Sequence, residues 1–79
     1  MPKYLVEYDI KQDGKRTKFR EEIKTKLAAT MHTESVYLFN HSGDIDAVHA
    51  RVLVLADLAG LTSADDVWVD VASVRKRVK

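Results

Sequence analysis

Asp9, Asp13, Lys15, Arg16, Lys18 and Arg20 fall within twelve residues, and their order suggests a chemistry. Asp9 closes an apolar alternating run, Tyr4 to Ile10. A carboxylate at a strand end can hold a hard cation such as Mg²⁺ or Mn²⁺, which needs only one or two carboxylates plus water and phosphate oxygens. Asp9 is the candidate catalytic carboxylate and metal ligand, with Asp13 in the following turn as the second ligand. A metal there could polarise a phosphodiester and activate water, and a two-fold dimer that placed both copies of Asp9 together would double the ligand count. The other reading of Asp9 is a strand-end cap or an ion-pair partner of Lys15 or Arg16. Lys15, Arg16, Lys18 and Arg20 open a helix, where cationic side chains and free backbone N–H groups together suit phosphate oxygens. Such contacts give backbone binding that is independent of sequence and weakened by salt. Arg75, Lys76 and Arg77 near the end of the chain are candidates for the same role.

Several other chemistries are excluded by what the sequence lacks. There is no cysteine, so thiol catalysis and thiolate zinc sites are out. His32, His41 and His49 lack metal-ligand spacing, no GxSxG nucleophile elbow occurs, and neither a Walker A loop nor GxGxxG is present. Tyr4, Tyr8, Tyr37, Phe39 and Trp68 read as core or interface residues, which argues against base stacking on an exposed aromatic platform.

The elements that must position these residues can be read from periodicity. Residues 3–10 alternate, Tyr4, Val6, Tyr8 and Ile10 against Leu5, Glu7 and Asp9, as a half-buried strand does. Asp13-Gly14 reads as a turn, with glycine at positive φ and Asp13 able to cap the helix after it. A helix is expected from Lys15 to about Thr30, with Phe19, Ile23 and Leu27 facing the core. Met31 to Asn40 is extended, either one strand or a strand that doubles back near Leu38. A second helix runs from Asp44 to Ala59, capped from within Ser42-Gly43-Asp44 and ended by Gly60, with an apolar stripe broad enough to be buried on more than one side. Val67 to Val74 is the last strand. If the middle region supplies two strands, the order is β-α-β-β-α-β, an α+β sandwich with two helices on one face of an antiparallel sheet. If it supplies one, three parallel strands carry two helices.

At 79 residues, 46% hydrophobic and with 3 Gly and 1 Pro, the chain is expected to form one ordered domain over 1–79. The basic tail 75–79 is expected to order only on a partner. A domain this small gains stability by association, so a homodimer is expected. No signal peptide or apolar run of roughly 20 residues is present, which suggests a cytoplasmic protein with no membrane partner. The net charge of +1 hides an asymmetry, since residues 1–26 balance to +3, residues 27–70 to −6 and residues 71–79 to +4. A basic face would be the footprint of a polyanion.

Tyr8-Asp9-Ile10, the turn with Asp13, Lys15-Arg16-Thr17-Lys18-Phe19, Glu34-Ser35-Val36-Tyr37 and Asp66-Val67-Trp68-Val69 resemble the small ferredoxin-like CRISPR-associated adaptation protein, the partner of the spacer integrase. The virulence-associated protein D ribonucleases are similar in outline. The resemblance covers about residues 3–74 and departs at Thr33 and at Leu38-Phe39-Asn40, where the family usually has a glutamine and a polar turn. It implies a β-α-β-β-α-β subunit in a two-fold dimer, with Asp9 at the junction and Mg²⁺ or Mn²⁺ as cofactor. It also implies contacts from Lys15, Arg16 and Lys18 to a duplex backbone, and an integrase partner in antiviral defence. The expected function is therefore a homodimeric nucleic-acid-binding protein of this adaptation type. Metal-dependent endonuclease action on RNA or DNA through Asp9 stays open. The alternative is a small non-enzymatic interaction or dimerisation module.

Overall fold

The computed structural model describes residues 2–71. The elements run β1 (Lys3–Asp9), α1 (Asp13–Leu27), β2 (Thr30–Thr33), β3 (Val36–Asn40), α2 (Ile45–Leu58) and β4 (Asp66–Val71). The four strands form one antiparallel sheet in the order β2-β3-β1-β4. The middle region is thus a hairpin, which decides between the two alternatives left by the sequence.

The hairpin reverses at Glu34-Ser35 rather than near Leu38. Two donors from β1 hold that turn: the Tyr8 backbone N–H bonds the Ser35 carbonyl at 3.0 Å, and the Tyr8 hydroxyl bonds the Glu34 carbonyl at 2.6 Å. Two-residue hairpin loops usually require residues at positive φ. Neither Glu34 nor Ser35 has one, and a register shift between Met31 and Thr33 accompanies the turn instead.

α1 starts two residues earlier than the sequence suggests and stops sooner. Its N-cap is Gln12, which makes no side-chain cap bond; Asp13 is the first helical residue, and Gly14 lies inside the helix without positive φ. The expected Asp13-Gly14 turn is therefore not formed. Asp13 acts within the first turn, where a carboxylate favours the positive end of the helix dipole and can meet a cation three residues on. At the other end Ala28 takes a left-handed conformation (φ 53°), and the Ala29 N–H bonds the Ile23 carbonyl at 3.2 Å. This reversal buries Ala29 and releases Thr30 to begin β2.

α2 matches the sequence closely. Asp44 is the N-cap, accepting from the Ala47 N–H at 2.9 Å, and Gly60 (φ 80°) ends the element. Gly43 is needed for space: a Cβ there would stand 2.9 Å from that of Ala47 and 3.0 Å from the His41 ring.

One core holds the layers together. Tyr4, Val6 and Tyr8 of β1 and Tyr37 and Phe39 of β3 are buried with Phe19 and Ile23 of α1 and Val48, Val52 and Leu55 of α2. Both helices therefore cover the same sheet face. The opposite face carries Leu5, Glu7 and Asp9, with Leu38 and Val36 on one side and Asp70, Trp68 and Asp66 on the other as direct cross-strand partners. Trp68 does not join the core: it is 51% exposed on this open face. Among the described residues no helix is long and apolar enough to cross a membrane. The tail 75–79 and the end of the expected last strand lie outside the described residues.

Candidate functional site

The end of β1, the first turns of α1 and the Glu34-Ser35 turn meet around a cavity of about 200 Å³. Alternation in β1 fixes which side chain goes where: Tyr8 turns inward to the core, and Asp9 turns to the open face. α1 begins after only Ile10, Lys11 and Gln12, so its first turns stand directly over the strand end.

Arg16 reaches back from the first turn and clasps the strand end. Its Nε and Nη2 donate to the Ile10 carbonyl at 3.2 and 3.1 Å, and Nη2 also meets Asp13 at 2.9 Å. Two residues expected to bind phosphate and metal thus pair with each other. Arg20 sits one turn further on, where its Nε donates to the Tyr8 hydroxyl at 2.8 Å. That hydroxyl donates in turn to the Glu34 carbonyl, so the chain Arg20–Tyr8–Glu34 joins α1, β1 and the hairpin. Nη1 and Nη2 of Arg20 make no hydrogen bond among the described residues, and Arg20 lines the cavity with Arg16 and Asp9.

These contacts set the electrostatics. Burial pushes the Tyr8 hydroxyl above the ordinary phenol range, against the pull of the Arg20 hydrogen bond and charge. Tyr8 therefore stays protonated at neutral pH and keeps its bond to Glu34. The same hydrogen bond raises Arg20 further, so its guanidinium remains charged throughout. The result is a guanidinium held at one nitrogen by a buried partner, with its other two nitrogens free to grip two oxygens of a phosphate.

Asp9 pairs with Lys11 at 3.1 Å rather than with Lys15 or Arg16, and its side chain is 59% exposed. Its direct partner on β4 is Asp66. Like charges placed opposite one another are destabilising in a sheet, and Lys11 offsets part of that. Among the described residues no group of three or more His, Asp and Glu side chains converges on a point suited to a metal ion. Lys15 stands away from the cavity, near Gly60 at the end of α2, and Lys18 is exposed outside it. The structure thus gathers Asp9, Arg16 and Arg20 but not Lys15 or Lys18. Arg75, Lys76 and Arg77 lie outside the described residues.

Sequence reasoning missed two participants. Tyr8 was legible as a core aromatic but not as the anchor of Arg20, because that contact depends on how α1 crosses β1. Asp66 was legible as a charged residue but not as the neighbour of Asp9, because the β1–β4 register is set by the whole sheet. No protein-family model and no curated protein matches the chain.

Proposed function

We propose that the protein binds nucleic acid through its phosphate backbone, using the Arg20 cavity as the anchor and the cations of α1 as the surrounding field. The observation that carries this reading is Arg20, which lines a cavity and is held by Tyr8 through one nitrogen while its other two make no hydrogen bond among the described residues. Arg16, Arg20 and Lys24 recur every four residues, which spaces cations about 6 Å apart along one side of the helix. The strand and helix order is the one expected of a ferredoxin-like β-α-β-β-α-β subunit, and the resemblance to the adaptation protein supplies the rest of the proposal: a two-fold dimer in the cytoplasm that holds duplex DNA or RNA beside an integrase partner.

The test is duplex binding at two salt concentrations with Arg20→Ala. The wild-type affinity should fall steeply with salt, and Arg20→Ala should weaken binding at low salt and reduce the salt slope by about one phosphate contact. Affinity indifferent to both changes overturns the proposal. Arg16→Ala is the poorer probe, because Arg16 also closes the β1–α1 connection.

A second reading, metal-dependent cleavage, is favoured by the placement of Asp66 opposite Asp9. Two neighbouring carboxylates suit a hydrated Mg²⁺ or Mn²⁺, while Asp13 is committed to Arg16. When bound, such an ion supplies a polarised phosphate and an activated water. This chain's own part is to release Asp9 from Lys11. Mg²⁺- or Mn²⁺-dependent cleavage lost in Asp9→Ala supports it, and equal cleavage by the variant refutes it.

A further inference from the structure

The two edges of the sheet differ. β2 is four residues long, fully exposed and interrupted by a register shift, the kind of edge that resists further pairing. β4 is six regular residues with neither lysine, proline nor bulge, and among the described residues it pairs only with β1. Its outer backbone donors and acceptors are therefore open to another strand.

The side chains flanking that edge are sorted by type. Val67, Val69 and Val71 point to the helix side, where His49, Val52, Leu53 and Ala56 of α2 and Val67 and Val69 of β4 line a groove. Leu53 and Val71 are 53% and 50% exposed. The groove continues past Leu61 to Asp57 and Asp65. On the open side stand Asp66, Trp68 and Asp70. From Val52 to Val71 the sequence has four acids, Asp57, Asp65, Asp66 and Asp70, and no lysine, arginine or histidine.

We propose that the β4 edge and the α2 groove bind an extended basic segment of another polypeptide, which adds to the sheet as a fifth strand. Strand addition supplies affinity through the main chain and selectivity through alternate side chains. The pattern selected here has bases at every second position, opposite Asp70, Trp68 and Asp66, and apolar residues between them, against Val69, Val67 and the Leu53 groove. The middle base is best as arginine, which stacks on the indole face. A one-residue slip would place the bases in the apolar groove, so the alternation also fixes the register. The site shares no lining residue with the Arg20 cavity, although Asp66 and Val67 are the cross-strand neighbours of Asp9 and Tyr8, and it does not depend on the nucleic-acid reading.

The probe is the synthetic peptide Lys-Val-Arg-Val-Lys-Val, with a Lys-Arg-Lys-Val-Val-Val peptide of identical composition as control. Trp68 is the only tryptophan, so its fluorescence reports the site directly. The alternating peptide should shift that emission and bind about tenfold more tightly than the control. Asp70→Lys and Leu53→Asp, both at exposed positions, should each abolish the difference, while Arg20→Ala leaves it unchanged. Equal binding of the two peptides means plain charge attraction and overturns strand pairing. No emission shift, or a site that opens only when residues 72–79 are deleted, overturns the assignment to another polypeptide.

Discussion

Tyr8 shows how one side chain can serve two levels of the molecule. Its ring packs edge-on against Phe19, with centroids 5.6 Å apart, while its hydroxyl ties the hairpin to Arg20. Because its folded-state pKa is raised above the unfolded value of about 10, the stability it contributes is fully present below that pH. Above it the unfolded chain binds fewer protons than the folded one, so stability falls as pH rises through the folded value. Denaturant midpoints should be flat below about pH 9 and decline in the alkaline range; Tyr8→Phe should be less stable at neutral pH by roughly 1–3 kcal/mol and show a shallower alkaline decline. An unchanged alkaline slope in the variant would assign the effect elsewhere. At this scale the sequence was legible for identity and poor for partnership. The burial of Tyr8 could be read from alternation, but its contact with Arg20 spans twelve residues and two elements.

Elements were legible wherever periodicity and capping agreed, as in α2 from Asp44 to Gly60. They were misread where one residue has two uses. Gly14 read as a turn because glycine tolerates positive φ, yet it is helical, and a Cβ added there meets nothing within 4 Å. Gly14→Ala should therefore raise stability by about 0.5–1 kcal/mol, since alanine loses less backbone freedom in a helix. Ala28 is the reverse case. An L residue in the left-handed region costs roughly 1–2 kcal/mol, part of which glycine's greater unfolded-state freedom would cancel. Ala28→Gly should yield a net gain of up to about 1 kcal/mol. Thermal melts of the two variants check both signs, and a loss in either would mean that the local backbone differs from that described. The reversal at Glu34-Ser35 was illegible because its support comes from Tyr8 rather than from glycine or asparagine in the turn.

For the whole molecule, charge separates two kinds of association. The cations of α1 lie on the helix layer, whereas the open sheet face presents Glu7, Asp9, Asp66 and Asp70 around Leu5, Val36, Leu38 and Trp68, with Lys3 at one end. The proposed two-fold dimer, if it joins the two copies of Asp9, brings these acids against their own copies. Its apolar centre favours contact and its carboxylates oppose it. Added salt screens the repulsion over a Debye length of about 8–10 Å at physiological strength but hardly weakens the apolar contact. The same salt weakens phosphate binding by the cations. The dimer fraction should therefore rise between low and physiological salt while duplex affinity falls, and Asp66→Asn should strengthen the dimer at low salt with duplex affinity little changed. Light scattering on the free protein and a duplex titration at matched salt measure the two trends separately. A dimer that dissociates as salt is added would show that opposite charges hold it together, such as Lys3 or Lys11 against carboxylates of the other copy, and would overturn the repulsive reading of this face.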